Sequence, residues 1–134
     1  MLIKQFLTGG RAIVIAEHGD KKYVFRFKTR PDKKDSNKRI CSVLYTREYS
    51  ESFIGIFNPE HGRVYPRKVN PLIDEDKKAL EVANWIVGLI YKKQEPPEGY
   101  VIRHGGKCAR CGRELTDAVS VEHGFGPDCW RLIG

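Results

Sequence analysis

The amino-acid sequence predicts an α+β fold: an antiparallel β-sheet of four or five strands, one long helix, and a C-terminal zinc knuckle of treble-clef type. Three observations predict it. Between residues 11 and 68, apolar β-rich runs are separated by clusters of turn residues. Residues 74–93 form a continuous stretch with helix-end signals and no proline. Near the end, two residues separate Cys108 from Cys111 and a further seventeen separate Cys111 from Cys129, a ligand spacing suited to zinc.

The first strands follow Gly9-Gly10. The stretch RAIVIAEHGDKKYVFRFK reads as a β-hairpin turning at His18-Gly19-Asp20. In its second strand Tyr23, Phe25 and Phe27 fall on one face, while Lys22, Val24, Arg26 and Lys28 fall on the other. Residues 30–39, RPDKKDSNKR, read as a polar connection. The runs ICSVLYT and SFIGIF follow as strands separated by REYSE, and RVYPRK is a short edge strand, because Pro66 cannot donate to a ladder. Cys41, between Ile40 and Val43, reads as a small buried residue.

The helix is expected from Asp74, as N-cap, to Lys93. Glu75 and Asp76 suit the positive end of its dipole, Lys92 and Lys93 suit the negative end, and Pro96-Pro97 ends it. Its apolar residues cover more than one stripe, so burial on two sides is expected, against the sheet and against the C-terminal segment. Residues 1–98 are thus read as a basic sheet-plus-helix part and residues 99–134 as a zinc-binding segment packed on it.

In that segment a Cys-x-x-Cys turn lets two thiolates meet one ion, and Gly112 eases the backbone where the turn closes. Arg113, Glu114 and Leu115 are expected to leave the knuckle as a short strand. The chain returns through Phe125-Gly126-Pro127 to Cys129 at the start of a terminal helix, where Pro127 and Asp128 suit the first turn. Two histidines compete for the fourth position: His104 four residues before Cys108, and His123 six residues before Cys129. Spacing alone does not choose between them. The role expected of the metal is structural, because only one imidazole and no well-placed carboxylate accompany the sulfurs. Trp130, Leu132 and Ile133 are too apolar for a free tail and are expected to dock.

The 134 residues hold 24 Lys and Arg against 17 Asp and Glu, a net charge of +7. The surplus is local, with 15 basic against 7 acidic residues over positions 1–73. Such a balance favours phosphate-rich or otherwise acidic partners. No apolar run reaches the length of a membrane span, and MLIKQFLTGG lacks the pattern of a secretory signal, so no membrane association and a cytoplasmic location are expected. The oxidation state implied is reduced thiols rather than disulfides.

The pattern C-x2-C-G-R-x-L-T…S-V-x-x-G-x-G-P-x-C is carried by Cys108, Cys111, Gly112, Arg113, Leu115, Thr116, Ser120, Val121, Gly124, Gly126, Pro127 and Cys129. It resembles a small zinc-binding domain of unknown function, found largely in proteins of bacteriophages, prophages and other mobile elements. Some of these also carry a stretch similar to residues 9–28 and a histidine shortly before the first cysteine. The resemblance therefore implies His104 as the fourth ligand, and a phage-like origin with action in the cytoplasm of a host. It brings no activity with it.

Two functions from different classes follow. In the first, a small non-enzymatic accessory protein with a structural zinc binds nucleic acid through the basic sheet face: Lys22, Arg26 and Lys28 on the strand, Lys33, Lys34, Lys38 and Arg39 in the loop, with Tyr45 or Tyr49 available for stacking. In the alternative, it docks on a host protein complex as an inhibitor or adaptor. Catalysis is not expected. His18, Asp20, Glu60 and His61 are the only loose candidates, and each sits in a turn that already accounts for it.

Overall fold

The computed structural model describes residues 2–133. Helix α1 (Lys4–Leu7) precedes strands β1 (Arg11–His18), β2 (Lys21–Pro31), β3 (Arg39–Thr46), β4 (Glu51–Asn58) and β5 (Arg63–Pro66). Helix α2 (Asp74–Lys92) leads to strand β6 (Tyr100–His104), and helices α3 (Ala118–His123) and α4 (Pro127–Ile133) complete the chain. None of these helices is long and apolar enough to cross a membrane.

The sheet has six strands, in the order β5-β4-β3-β2-β1-β6, and every neighbouring pair is antiparallel. β5 and β6 form its two edges, so the sheet is open. The count exceeds the expected four or five because Tyr100–His104 continues the ladder beyond β1, with Val14 opposite His104 and His18 opposite Tyr100. Five residues are too few for a period-two signal to stand out beside the cysteine motif. Strands from both sides of residue 98 therefore share one sheet. Between β2 and β3 the chain is also more regular than a polar connection. Arg30 and Pro31 pair with Ile40 and Arg39, and the turn is held by Asp32 and Asp35, whose carboxylates accept from the Lys34 and Asn37 N–H groups at 3.1 Å.

Register decides which side chains share the core. Ala12, Val14 and Ala16 lie opposite Phe27, Phe25 and Tyr23, and the next strand adds Val43 and Tyr45 opposite Phe27 and Phe25. Ala79, Ala83, Ile86, Val87 and Ile90 of α2, at spacings of three and four, cover this face. Phe25, Phe27 and Phe57 are buried there, each worth on the order of 2–3 kcal/mol. Tyr45 belongs to this core, 9% exposed and 5.7 Å from the Phe25 ring, so it is not available for stacking on a ligand. Parity places it with Cys41 and Val43.

α2 begins with Ile73, not Asp74, at the N-cap position and makes no side-chain cap. Asp74, Glu75 and Asp76 occupy its first turn. Asp76 is buried there and is met by the Arg47 guanidinium at 2.5 Å, which ties the β3–β4 turn to the helix. Lys93 ends the helix in left-handed backbone. α2 also meets the start of the C-terminal segment, the Trp85 ring centroid lying 5.2 Å from that of Tyr100. The knuckle itself is carried away by β6, which runs antiparallel to β1 and delivers the chain to α1.

Candidate metal centre

α1 is four residues long, yet it forms the seat of the C-terminal segment. Phe6 is 0% exposed, and its ring centroid is 6.0 Å from both His104 and Phe125. Gly9 lies against Ala109 so closely that a Cβ there would come within 2.9 Å of the Ala109 methyl. Backbone bonds extend the contact: Arg11 N–H donates to the Ala109 carbonyl, and Gly105 N–H donates to Ile13 at 3.1 Å.

From this seat the knuckle is built locally. Lys107 bridges Glu114, and Cys108 N–H donates to Arg113 at 2.8 Å. Gly112 N–H returns to the Cys108 carbonyl at 2.9 Å, with Gly112 at φ +78° where a side chain is disfavoured. The strand expected at Arg113-Glu114-Leu115 amounts to this single bridge. Beyond it, Asp117 caps α3 by accepting from Ser120 N–H at 3.0 Å. Gly124, at φ +80°, ends α3. α4 starts at Pro127 and presents Cys129 in its first turn.

This path brings Cys108, Cys111 and Cys129 together, their sulfurs all within 4.8 Å of one another. It is the only such cluster of His, Cys, Asp and Glu among the described residues, and it can hold a metal ion. Zinc–sulfur bonds of ~2.3 Å set tetrahedral sulfurs about 3.8 Å apart, so the triangle fits such an ion with small adjustment. Cys108 is buried, which raises its pKa, but hydrogen bonds from the N–H groups of Cys111, Gly126 and Arg110 bring it down to about 7. Cys129 is pushed up by burial, opposed by the Arg110 guanidinium, whose Nη1 donates to Cys129 Sγ at 3.9 Å. A cavity of about 180 Å3 beside Cys111 and Cys129 is lined by Asp117 and Asp128 among others.

Neither histidine joins the triangle. His104 Nδ1 accepts from Gly106 N–H at 2.8 Å and its Nε2–H donates to the Val121 carbonyl, so both ring nitrogens are engaged. That geometry departs from the ligand role the resemblance implies, because the β6 ladder fixes His104 opposite Val14. His123 instead stacks on Trp130 at 3.8 Å. Trp130 docks through that ring and Phe125, 6.1 Å away, whereas Leu132 is 68% exposed and does not dock. The side chain of Ile133 lies outside the described ones. His18, Asp20, Glu60 and His61 are not brought into any common cluster; His61 bonds Tyr65 at 2.8 Å, and His18 stacks on Tyr100 at 4.1 Å.

Residues 101–134 match a family of unknown function, DUF6011. No curated protein matches the chain, and no solved structure matches it. The DUF6011 match runs from the second residue of β6, Val101, through everything after it, including all three clustered cysteines, while the first five strands and α2 lie outside it.

The basic residues read from the sequence are distributed around the sheet. Lys22 and Lys28 are exposed on the face turned away from α2. Arg26 on that face is half-buried and forms an ion pair with Glu51. Lys33, Lys34 and Lys38 are exposed on the β2–β3 turn, and Arg39 at the start of β3. The same outer face carries Phe53 and Tyr65, which register places with Leu44 and Ile56, and Tyr49 stands 92% exposed on the β3–β4 turn. Sequence reading missed two basic residues, Arg11 and Arg110. Their signal was position: one follows Gly9-Gly10, and the other lies inside the Cys-x-x-Cys turn.

Proposed function

We propose that this chain is a small, non-enzymatic accessory protein of phage or mobile-element type, with a structural zinc held by its three clustered cysteines and a nucleic-acid-binding surface on the outer sheet face. The observation that carries the reading is a set of unneutralised cations. Lys22, Lys28 and Arg30 project from a sheet face that α2 leaves uncovered, and none of them forms an ion pair among the described residues. Lys33, Lys34 and Lys38 extend the positive surface around the adjoining turn. Phosphates release condensed counterions when such groups replace them, and exposed Phe53 and Tyr65 offer flat rings for unpaired bases.

Arg26 is a poor test residue because its guanidinium holds Glu51. Lys22→Gln combined with Lys28→Gln leaves that pair intact. In a titration of a single-stranded oligonucleotide at several salt concentrations, the double variant should weaken binding and reduce the log–log salt slope by about 1.4, ~0.7 for each lost contact. Absence of binding by the unaltered protein at low salt would sink the reading.

A second reading, docking on a host protein complex, is supported by the half-buried Ile13, Val24, Leu44 and Ile56 on the same outer face. Capture from host lysate with and without nuclease treatment separates the two: a partner lost on nuclease treatment supports the nucleic-acid reading, and a retained protein supports docking.

A further inference from the structure

A second basic feature lies where the sheet, α1 and the knuckle meet. A cleft of about 530 Å3 opens there, and Arg11, Arg39 and Arg110 line it with Thr8, Gly10 and Cys111. The three arginines come from β1, β3 and the Cys-x-x-Cys turn, so folding and not sequence proximity assembles them. No carboxylate lines the cleft, and none of the three forms an ion pair among the described residues. Like charges brought together without a counter-charge repel one another, and an anion relieves that repulsion.

Two of the guanidiniums are held from behind. Arg11 Nη1 donates to the Cys111 carbonyl at 3.4 Å, and Arg110 Nη1 donates to Cys129 Sγ at 3.9 Å. Each keeps its other N–H groups, since a guanidinium offers five donors in a planar fork. Arg39 makes no side-chain hydrogen bond or ion pair among the described residues. A carboxylate presents two oxygens, whereas a phosphate presents several around a tetrahedron and can meet forks arriving from three directions.

We propose that this cleft binds a phosphate group. The ligand is a phosphate of a single-stranded nucleic acid or a small free phosphate such as pyrophosphate. Arg11 lines the cleft and stands opposite Lys28 in the β1–β2 ladder, so this one residue links the cleft to the exposed lysine of the outer face. For the nucleic-acid source the inference rests on the function proposed above; for the free phosphate it stands alone.

The test uses the full chain with its metal, and two variants. Arg11→Gln with Arg39→Gln removes two of the forks; Arg39→Gln alone touches no group that holds the cysteines. Oligonucleotide binding is followed by fluorescence anisotropy across a salt series, and pyrophosphate binding by 31P line broadening, with metal content measured for each protein. The expected result is about tenfold weaker oligonucleotide binding in the double variant, with a salt slope reduced by about 1.4, and pyrophosphate that competes with the oligonucleotide. Unchanged affinity and slope in both variants, beside weakened binding in Lys22→Gln/Lys28→Gln, would overturn the cleft and leave the outer face standing. Pyrophosphate bound by the unaltered protein and lost in Arg39→Gln, with no oligonucleotide bound at low salt, supports the cleft as a small-phosphate site and overturns the outer-face reading. Binding of neither ligand overturns both.

Discussion

Gly124→Ala tests whether the metal segment is held to the sheet through Phe6. Gly124 sits at φ +80° at the end of α3, and a Cβ there would come within 2.5 Å of the Phe6 ring. Two costs follow. An alanine in left-handed backbone loses ~1–2 kcal/mol. Displacing a fully buried ring wedged between His104 and Phe125 adds ~1–3 kcal/mol. The variant should therefore lose about 2–5 kcal/mol of unfolding free energy, measured by urea denaturation of the metal-loaded chain. Phe6→Leu separates the two costs. With the ring gone, the steric part disappears and the backbone part remains, so the double variant should be about 1–3 kcal/mol more stable than the sum of the single losses predicts. Additivity within about 0.5 kcal/mol would refute the reasoning, because the ring would then have room to move aside.

Three further outcomes can be checked. Cys108→Ser should take bound metal from about one ion per chain to none by elemental analysis, whereas His104→Gln should retain it, because both ring nitrogens of His104 are engaged with backbone; unchanged metal in the serine variant refutes the site. Cys41 is buried, which pushes its thiol up from 9.0 to about 11. The unfolded chain then gives up that proton first. Stability is unaffected below pH ~9 and falls as pH rises through about 11, by roughly 3 kcal/mol from this group. Cys41→Ala should lose that component of the alkaline limb, and superimposable pH profiles would show that the thiol does not cause it. Lys22→Gln/Lys28→Gln should leave the urea midpoint nearly unchanged, since both side chains are exposed; a large shift would mean that its binding phenotype reports folding.

Much of the sheet was legible because its strands carry their own evidence. Tyr23, Phe25 and Phe27 alternate with Lys22, Val24, Arg26 and Lys28, and register turns that alternation into a core face and an outer face. The metal triangle was legible for a similar reason, since a Cys-x-x-Cys turn fixes two sulfurs locally. What escaped was whatever depends on contacts between distant segments. α1 is too short for helical periodicity, and its importance comes from Phe6 meeting His104 and Phe125 about a hundred residues away. α3 reads poorly as a helix because Val119 and Val121 are β-branched; Asp117 and Gly124 define it from its ends. The surroundings of His104 follow from the β6 ladder, which no spacing rule contains.

These distant contacts bear on how metal and sheet depend on each other. β1 has β2 on one side, and on the other it has β6, which leads directly into the knuckle. At the start of β1, Arg11 donates its N–H to Ala109 and its guanidinium to the Cys111 carbonyl. Loss of a metal bound by the cysteines would therefore loosen more than a tail. It would free the cover of Phe6, remove the partner that orients Arg11, and weaken the hold on a strand that would otherwise be a sheet edge with unpaired N–H and C=O groups. A structural ion bound here would act on the basic surface without touching any ligand of it, because two of the three arginines in the cleft are oriented by atoms of the clustered cysteines.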